Sequence, residues 1–156
     1  MERLWLETRV RAERLPEDLR HERVDDEWSF VETMRHLVCA TDIWLGRMIL
    51  LEERPFPAAG LLPTGYPEAG AAELGIDQLA RPSYDEAVTM HAERREQVRG
   101  FLATATDALL EEIRTAAPTP AWGEQSHSVR RCLGVLIDEH IEHRRFAERH
   151  LAALSA

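Results

Sequence analysis

Residues 29–51 read SFVETMRHLVCATDIWLGRMILL. Ser29 and Glu32 have the spacing of a capping box, in which the serine oxygen accepts from a free amide of the first turn and the glutamate reaches back to the cap. From Phe30 onward, Phe30, Met34, Leu37, Thr41, Trp44, Met48 and Leu51 recur at intervals of three and four. That period draws one stripe, largely apolar, along a helix of roughly 22 residues. Pro55 and Pro57 end it, because proline has no amide to donate and clashes with the preceding turn.

A long amphipathic helix needs others to cover its stripe, and the chain supplies them. Ser83 and Glu86 form a second capping box that opens a helix to about Ala105, and Ser128 starts a last helix that runs close to Leu154. A shorter helix is predicted over 2–14, with Leu4, Leu6 and Val10 as its apolar residues and Pro16 beyond it, and Asp107 to Ile113 suits a short helical turn. No internal repeat and no alternating strand pattern is present. The expectation is one all-α domain over 1–156, a four-helix bundle with helices near 2–14, 29–51, 83–105 and 128–154. Its core should contain Leu37, Trp44, Val98, Leu102, Cys132 and Leu136.

Two long loops with several prolines join these helices. The segment 52–82 holds Pro55, Pro57, Pro63, Pro67 and Pro82. A connection longer than about 12–15 residues is often functional, although parallel neighbours in a bundle also need a crossover. Thr64, Gly65, Tyr66 and Pro67 are predicted to fold over one end of the bundle and wall a pocket, with Tyr66 as the aromatic with a polar tip.

Composition narrows the function classes. With 156 residues, 44% hydrophobic and 30% charged, the chain reads as an ordinary globular protein. Its formal charge is −9 and all 19 basic residues are arginine, so a phosphate backbone is repelled and nucleic acid is not an expected partner. No leader pattern opens the chain and no apolar run spans a bilayer, which predicts a cytoplasmic protein with no membrane partner. Cys39 and Cys132 are too few for a disulfide framework and read as small buried thiols.

Three groups of polar residues fall on faces that should be buried. On the last helix Val129, Cys132, Leu133, Leu136, Ala147, Leu151 and Leu154 set the inward stripe. His143 lies at its centre, with Glu139 about 40° to one side and His140 about 60° to the other. Glu142, Arg144, Arg145 and Arg149 look outward as a solvated face. Burying a carboxylate beside an imidazole costs several kcal/mol unless they are paired or hold a metal. Glu139 with His143, or His140 with His143, could share one ion, and a hydrogen-bonded core pair would explain either as well. His36 sits on the flank of the second helix, beside Ala40 and Ile43, where a partner helix could meet it. On the third helix His91 and Arg95 interrupt an apolar stripe. An inward guanidinium beside an imidazole suits an anionic substrate group, while a snorkelling arginine is the simpler reading.

The stretches EWSFVETMRHLVCATDIWLGRMIL and CLGVLIDEHIEHRRFAERHL resemble the DinB-like superfamily, which also includes mycothiol-dependent maleylpyruvate isomerases and thiol transferases. The resemblance runs from Glu27 onward, with the first helix as a departure. It implies a four-helix bundle with a divalent metal on three side chains. Glu139 stands where the three-histidine version has histidine, as in the isomerase branch, so the ligands carried over are His36, Glu139 and His143. His140, His91, Arg95 and Tyr66 are then candidates for the pocket or substrate site. Zinc is the expected ion, and two imidazoles with a carboxylate also suit nickel, manganese or iron. The implied function is a metal-dependent enzyme acting with a low-molecular-weight thiol cosubstrate, a mycothiol-type S-transferase or isomerase, on a small-molecule substrate and as a homodimer. The alternatives are a metal-dependent hydrolase and a helical module, with or without metal, that acts through dimer or stress-response contacts.

Overall fold

The computed structural model describes residues 1–155. Four helices dominate: α1 (Glu2–Ala12), α2 (Phe30–Thr41), α4 (Tyr84–Thr104) and α6 (Val129–Leu154). Between them lie α3 (Glu68–Glu73), α5 (Asp107–Glu111) and a hairpin of β1 (Ile113–Ala116) and β2 (Gln125–Ser128). The capping boxes form at Ser29 with Glu32 and at Ser83 with Glu86, and Ser128 caps α6. The helices pack as α2 against α4 and α6, with α1 against α6. This is the all-α bundle with long crossovers.

Helix α2 continues over Asp42–Ile49 in π-helical form, which adds a residue per turn and shifts every later side chain. Leu51 closes the end with φ 59°, and the Glu52 amide returns to the Gly46 carbonyl at 3.0 Å. At the start of the π segment the buried Asp42 accepts from Arg94 of α4 at 2.9 and 3.3 Å. Burial pushes its carboxyl up to about 7 although the Arg94 guanidinium pulls the other way.

The connection 50–83 is held onto the bundle by Arg35, which is 3% exposed. Its Nε donates to the Ala59 carbonyl at 2.8 Å, and Nη2 lies within 3.0–3.2 Å of the carbonyls of Gly60, Asp77 and Gln78. One guanidinium thus ties both legs of the connection to α2. Gly60 permits the approach, since a Cβ there would lie 2.5 Å from Cys39 Sγ. Cys39 and Cys132 are both buried free thiols.

Three expectations need correction. On α1 it is Trp5, Thr8 and Ala12 that are buried, while Leu4, Leu6 and Val10 are exposed. Polar contacts choose this face: Thr8 bonds Leu4 and Glu148, and Arg144, read as outward, donates to the Leu4 carbonyl and Thr8. In α4 the buried residues are Tyr84, Ala87, Val88 and His91. Val98 and Phe101 reach only the rim of an apolar cluster, which leaves Leu102 half exposed, at 51%. The segment after α5 is not merely loop: β1 and β2 pair antiparallel from Ile113 with Ser128 to Ala116 with Gln125. Its strands, IRTA and QSHS, have no apolar alternation to announce them. Leu37, Cys132 and Leu136 are buried and Trp44 is half-buried.

Candidate metal centre

His36 is on the second turn of α2 and is 4% exposed. Its Nδ1 faces the Leu61 carbonyl at 3.2 Å, so a proton must sit on Nδ1, because a carbonyl only accepts. Nε2 then faces Glu139 Oε2 at 3.3 Å. Glu139 and His143 stand one turn apart on α6, with His143 Nδ1 at 2.9 Å from the Glu139 carbonyl and 3.3 Å from its Oε2. One ligand atom from each of His36, Glu139 and His143 lies within 4.8 Å of the others.

With Nδ1 of His36 committed to Leu61, its Nε2 meets the Glu139 carboxylate in one of two ways: as a second N–H donating to it in an ion pair, or as a ligand beside it on a shared metal ion. The charge states suit a metal, whose ligands must be deprotonated. In the ion-paired form the hydrogen bond donated by His36 holds the Glu139 carboxyl below the usual carboxylate range, although part burial opposes it. Burial, with His36 alongside, lowers the His143 imidazole and keeps it neutral. The Leu61 carbonyl is the kind of outer partner that fixes the tautomer of a metal-binding histidine. The residues therefore fit the divalent ion.

Trp28 has a place here that its sequence position does not announce. Its ring centroid is 4.5 Å from that of His36 and 5.8 Å from that of His143, nearly parallel to the latter. The turn Val24–Glu27 aims it, with Asp25 and Asp26 at φ 50° and 61° and the Glu27 amide on the Val24 carbonyl at 2.9 Å. The pair Asp25-Asp26 a few residues before a helix cap is the available signal, since aspartate tolerates the left-handed region. A cavity of about 510 Å³ opens beside these rings, walled by Trp28, His143 and Phe146 and across it by Leu62, Thr64 and Gly65.

The remaining candidates fall elsewhere. Tyr66 is buried in the cluster around Cys39, Ile43 and Leu62, with its ring against Trp122, so the loop walls the cavity through Thr64 and Gly65 instead. His140 is buried against Trp5 and His91, with ring centroids at 6.2 and 5.4 Å. Burial, reinforced by Arg95, pushes its imidazole down to about 4. His91 is 1% exposed, and burial drives its imidazole well below the ordinary range. Arg95 reaches back to Glu2 at 3.7 Å. These three make a polar knot inside the bundle between α1, α4 and α6, and line neither this cavity nor its neighbour.

Two histidines and one glutamate converging from two helices of a bundle define a class of proteins that build their sites from side chains on facing helices. The family comparison is more specific: the DinB superfamily matches residues 1–147, and the chain belongs to that superfamily. The match begins at residue 1 and takes in α1, so the first helix is part of the family fold and not a departure from it. No curated protein matches the chain. No helix is long and apolar enough to cross a membrane among the described residues.

Proposed function

We propose that His36, Glu139 and His143 hold one divalent metal ion, zinc first among Zn, Ni, Mn and Fe, and that the protein is a metal-dependent enzyme acting on a small molecule with a low-molecular-weight thiol, as an S-transferase or isomerase of the mycothiol type. The observation that carries this reading is the convergence of one ligand atom from each of His36, Glu139 and His143 within 4.8 Å, with the other nitrogen of His36 committed to Leu61. Three protein ligands leave coordination positions open, as in catalytic sites, and the cavity beside His143 gives them access. A zinc ion in such a site supplies a thiolate at neutral pH from a thiol that is otherwise mostly protonated. The protein's own part is to orient and exclude. Leu61 fixes the His36 ring, Trp28 covers both imidazoles, and Thr64 with Gly65 bounds the space left for a substrate.

Protein purified without a histidine tag should contain stoichiometric metal by mass spectrometry. His36→Ala, Glu139→Ala and His143→Ala should lose it, and His140→Ala should keep it. Retention by the His143 variant ends the metal assignment. Full metal content without reaction of any thiol ends the thiol-dependent part and leaves a hydrolase or a binding module.

A further inference from the structure

A second cavity of about 250 Å³ adjoins the first and shares Arg23 and Gln78 with it. Its wall carries three guanidinium groups, Arg23, Arg35 and Arg81, against one carboxylate, Glu32. That carboxylate is already engaged, accepting from Arg23 at 2.6–3.1 Å and from the Ser29 amide at 2.9 Å. On a chain of net charge −9, a basin with three guanidinium groups to one lining carboxylate, next to a candidate reaction site, calls for an occupant.

Arg35 gives the stronger indication. It is 3% exposed, and its Nε and Nη2 are spent on backbone carbonyls, while the nearby Glu32 and Asp77 carboxylates act on its charge without bonding to it. Nη1 has no acceptor among the described residues, although Arg35 forms part of the cavity wall. Arg81 is exposed and has no carboxylate within ion-pair distance among the described residues. Ser29 and Val31 add the first turn of α2, whose dipole presents its positive end.

We propose that this second cavity binds an oxyanion, a carboxylate or phosphate ester, at the far end of the same small molecule whose thiol end enters the first cavity. Arg81 and Nη1 of Arg35 would be its donors, because a guanidinium offers paired N–H groups matched to a carboxylate or phosphate. The proposal rests on the thiol reading only for the near end of that molecule, so the two ends are tested separately.

The far end is tested on metal-free protein by calorimetric titration with inorganic phosphate. Binding should be measurable in the wild type and weaker by about tenfold or more in Arg81→Glu, with helicity and metal uptake unchanged. The joined molecule is tested on metal-loaded protein with mercaptocarboxylates of increasing chain length, each against the mercaptoalcohol of the same length. At the length that spans the two cavities the carboxylate should bind about tenfold tighter, and Arg81→Glu should erase that preference while leaving the alcohol unaffected. Equal phosphate binding by wild type and Arg81→Glu, or no binding by either, overturns the oxyanion site. A protein that takes up no metal but still loses phosphate binding in Arg81→Glu keeps this site and rejects only the thiol reading.

Discussion

Replacing Arg35 with methionine should loosen the long connection before it affects the bundle. Methionine keeps an unbranched stem of similar reach inside the same packing and removes only the guanidinium fork. Three N–H groups, one on Nε and two on Nη2, serve four carbonyls on Ala59, Gly60, Asp77 and Gln78. A hydrogen bond from a charged donor contributes about 1.5–3 kcal/mol, and three would contribute about 4.5–9. Two effects reduce that sum. Deleting the cation also removes its own desolvation penalty, and part-buried carbonyls regain water once the loop moves. The net loss should be about 3–4 kcal/mol. In urea, with a slope of about 2 kcal/mol per molar, the midpoint should fall by about 1.5–2 M. Native-state hydrogen exchange gives the local reading. The Leu61 amide, on the Arg35 carbonyl at 3.3 Å, and the Asp77 amide, on the Ala58 carbonyl at 2.8 Å, should exchange faster by more than the amides of α6. A loss below about 1 kcal/mol with unchanged exchange at Leu61 and Asp77 would refute the idea that Arg35 holds the connection.

Arg94→Met should destabilise the fold in a pH-dependent way. Asp42 has a folded pKa raised to about 7 against an ordinary 3.8, so between those values it takes up a proton on folding with or without Arg94. Only above about 7 does the wild type bury an ionised carboxylate beside its partner. There the variant, with nothing to oppose desolvation and a folded pKa higher still, should lose stability by up to about 1.4 kcal/mol more per pH unit. Urea midpoints compared at low and high pH check this, and a deficit that does not grow with pH contradicts it. Saturating zinc, at about a hundred times its Kd, should stabilise the apoprotein by about 2.7 kcal/mol and raise Tm by about 5–10 °C, reversibly with chelator. The same addition should do nothing to His143→Ala, and a matching rise in that variant would point to a different site.

Much of this protein is legible from its sequence because capping and periodicity are local. Ser29 with Glu32, Ser83 with Glu86 and Ser128 mark three helix starts where the structure has them, since the groups that satisfy the first turn lie within it. The i, i+4 spacing of Glu139 and His143 likewise places both on one helical face whatever the rest of the chain does. What the sequence leaves open needs a neighbour to decide it. The buried side of α1 is chosen by Glu148 and Arg144 reaching Thr8 across a sequence gap of well over a hundred residues. The hairpin exists because β1 and β2 complete each other's hydrogen bonds, without any apolar alternation. Arg35 looks like any charged residue of a helix until the connection returns to offer it four carbonyls, and Trp28 like any aromatic until a turn lays it over His36 and His143. Above all, only the packing of α2 on α6 and of Leu61 on His36 sets an imidazole nitrogen against a carboxylate. A local pattern can nominate ligands, but a site for a cation is a balance of charge and donors among groups far apart in the chain, and tertiary structure alone brings those groups together.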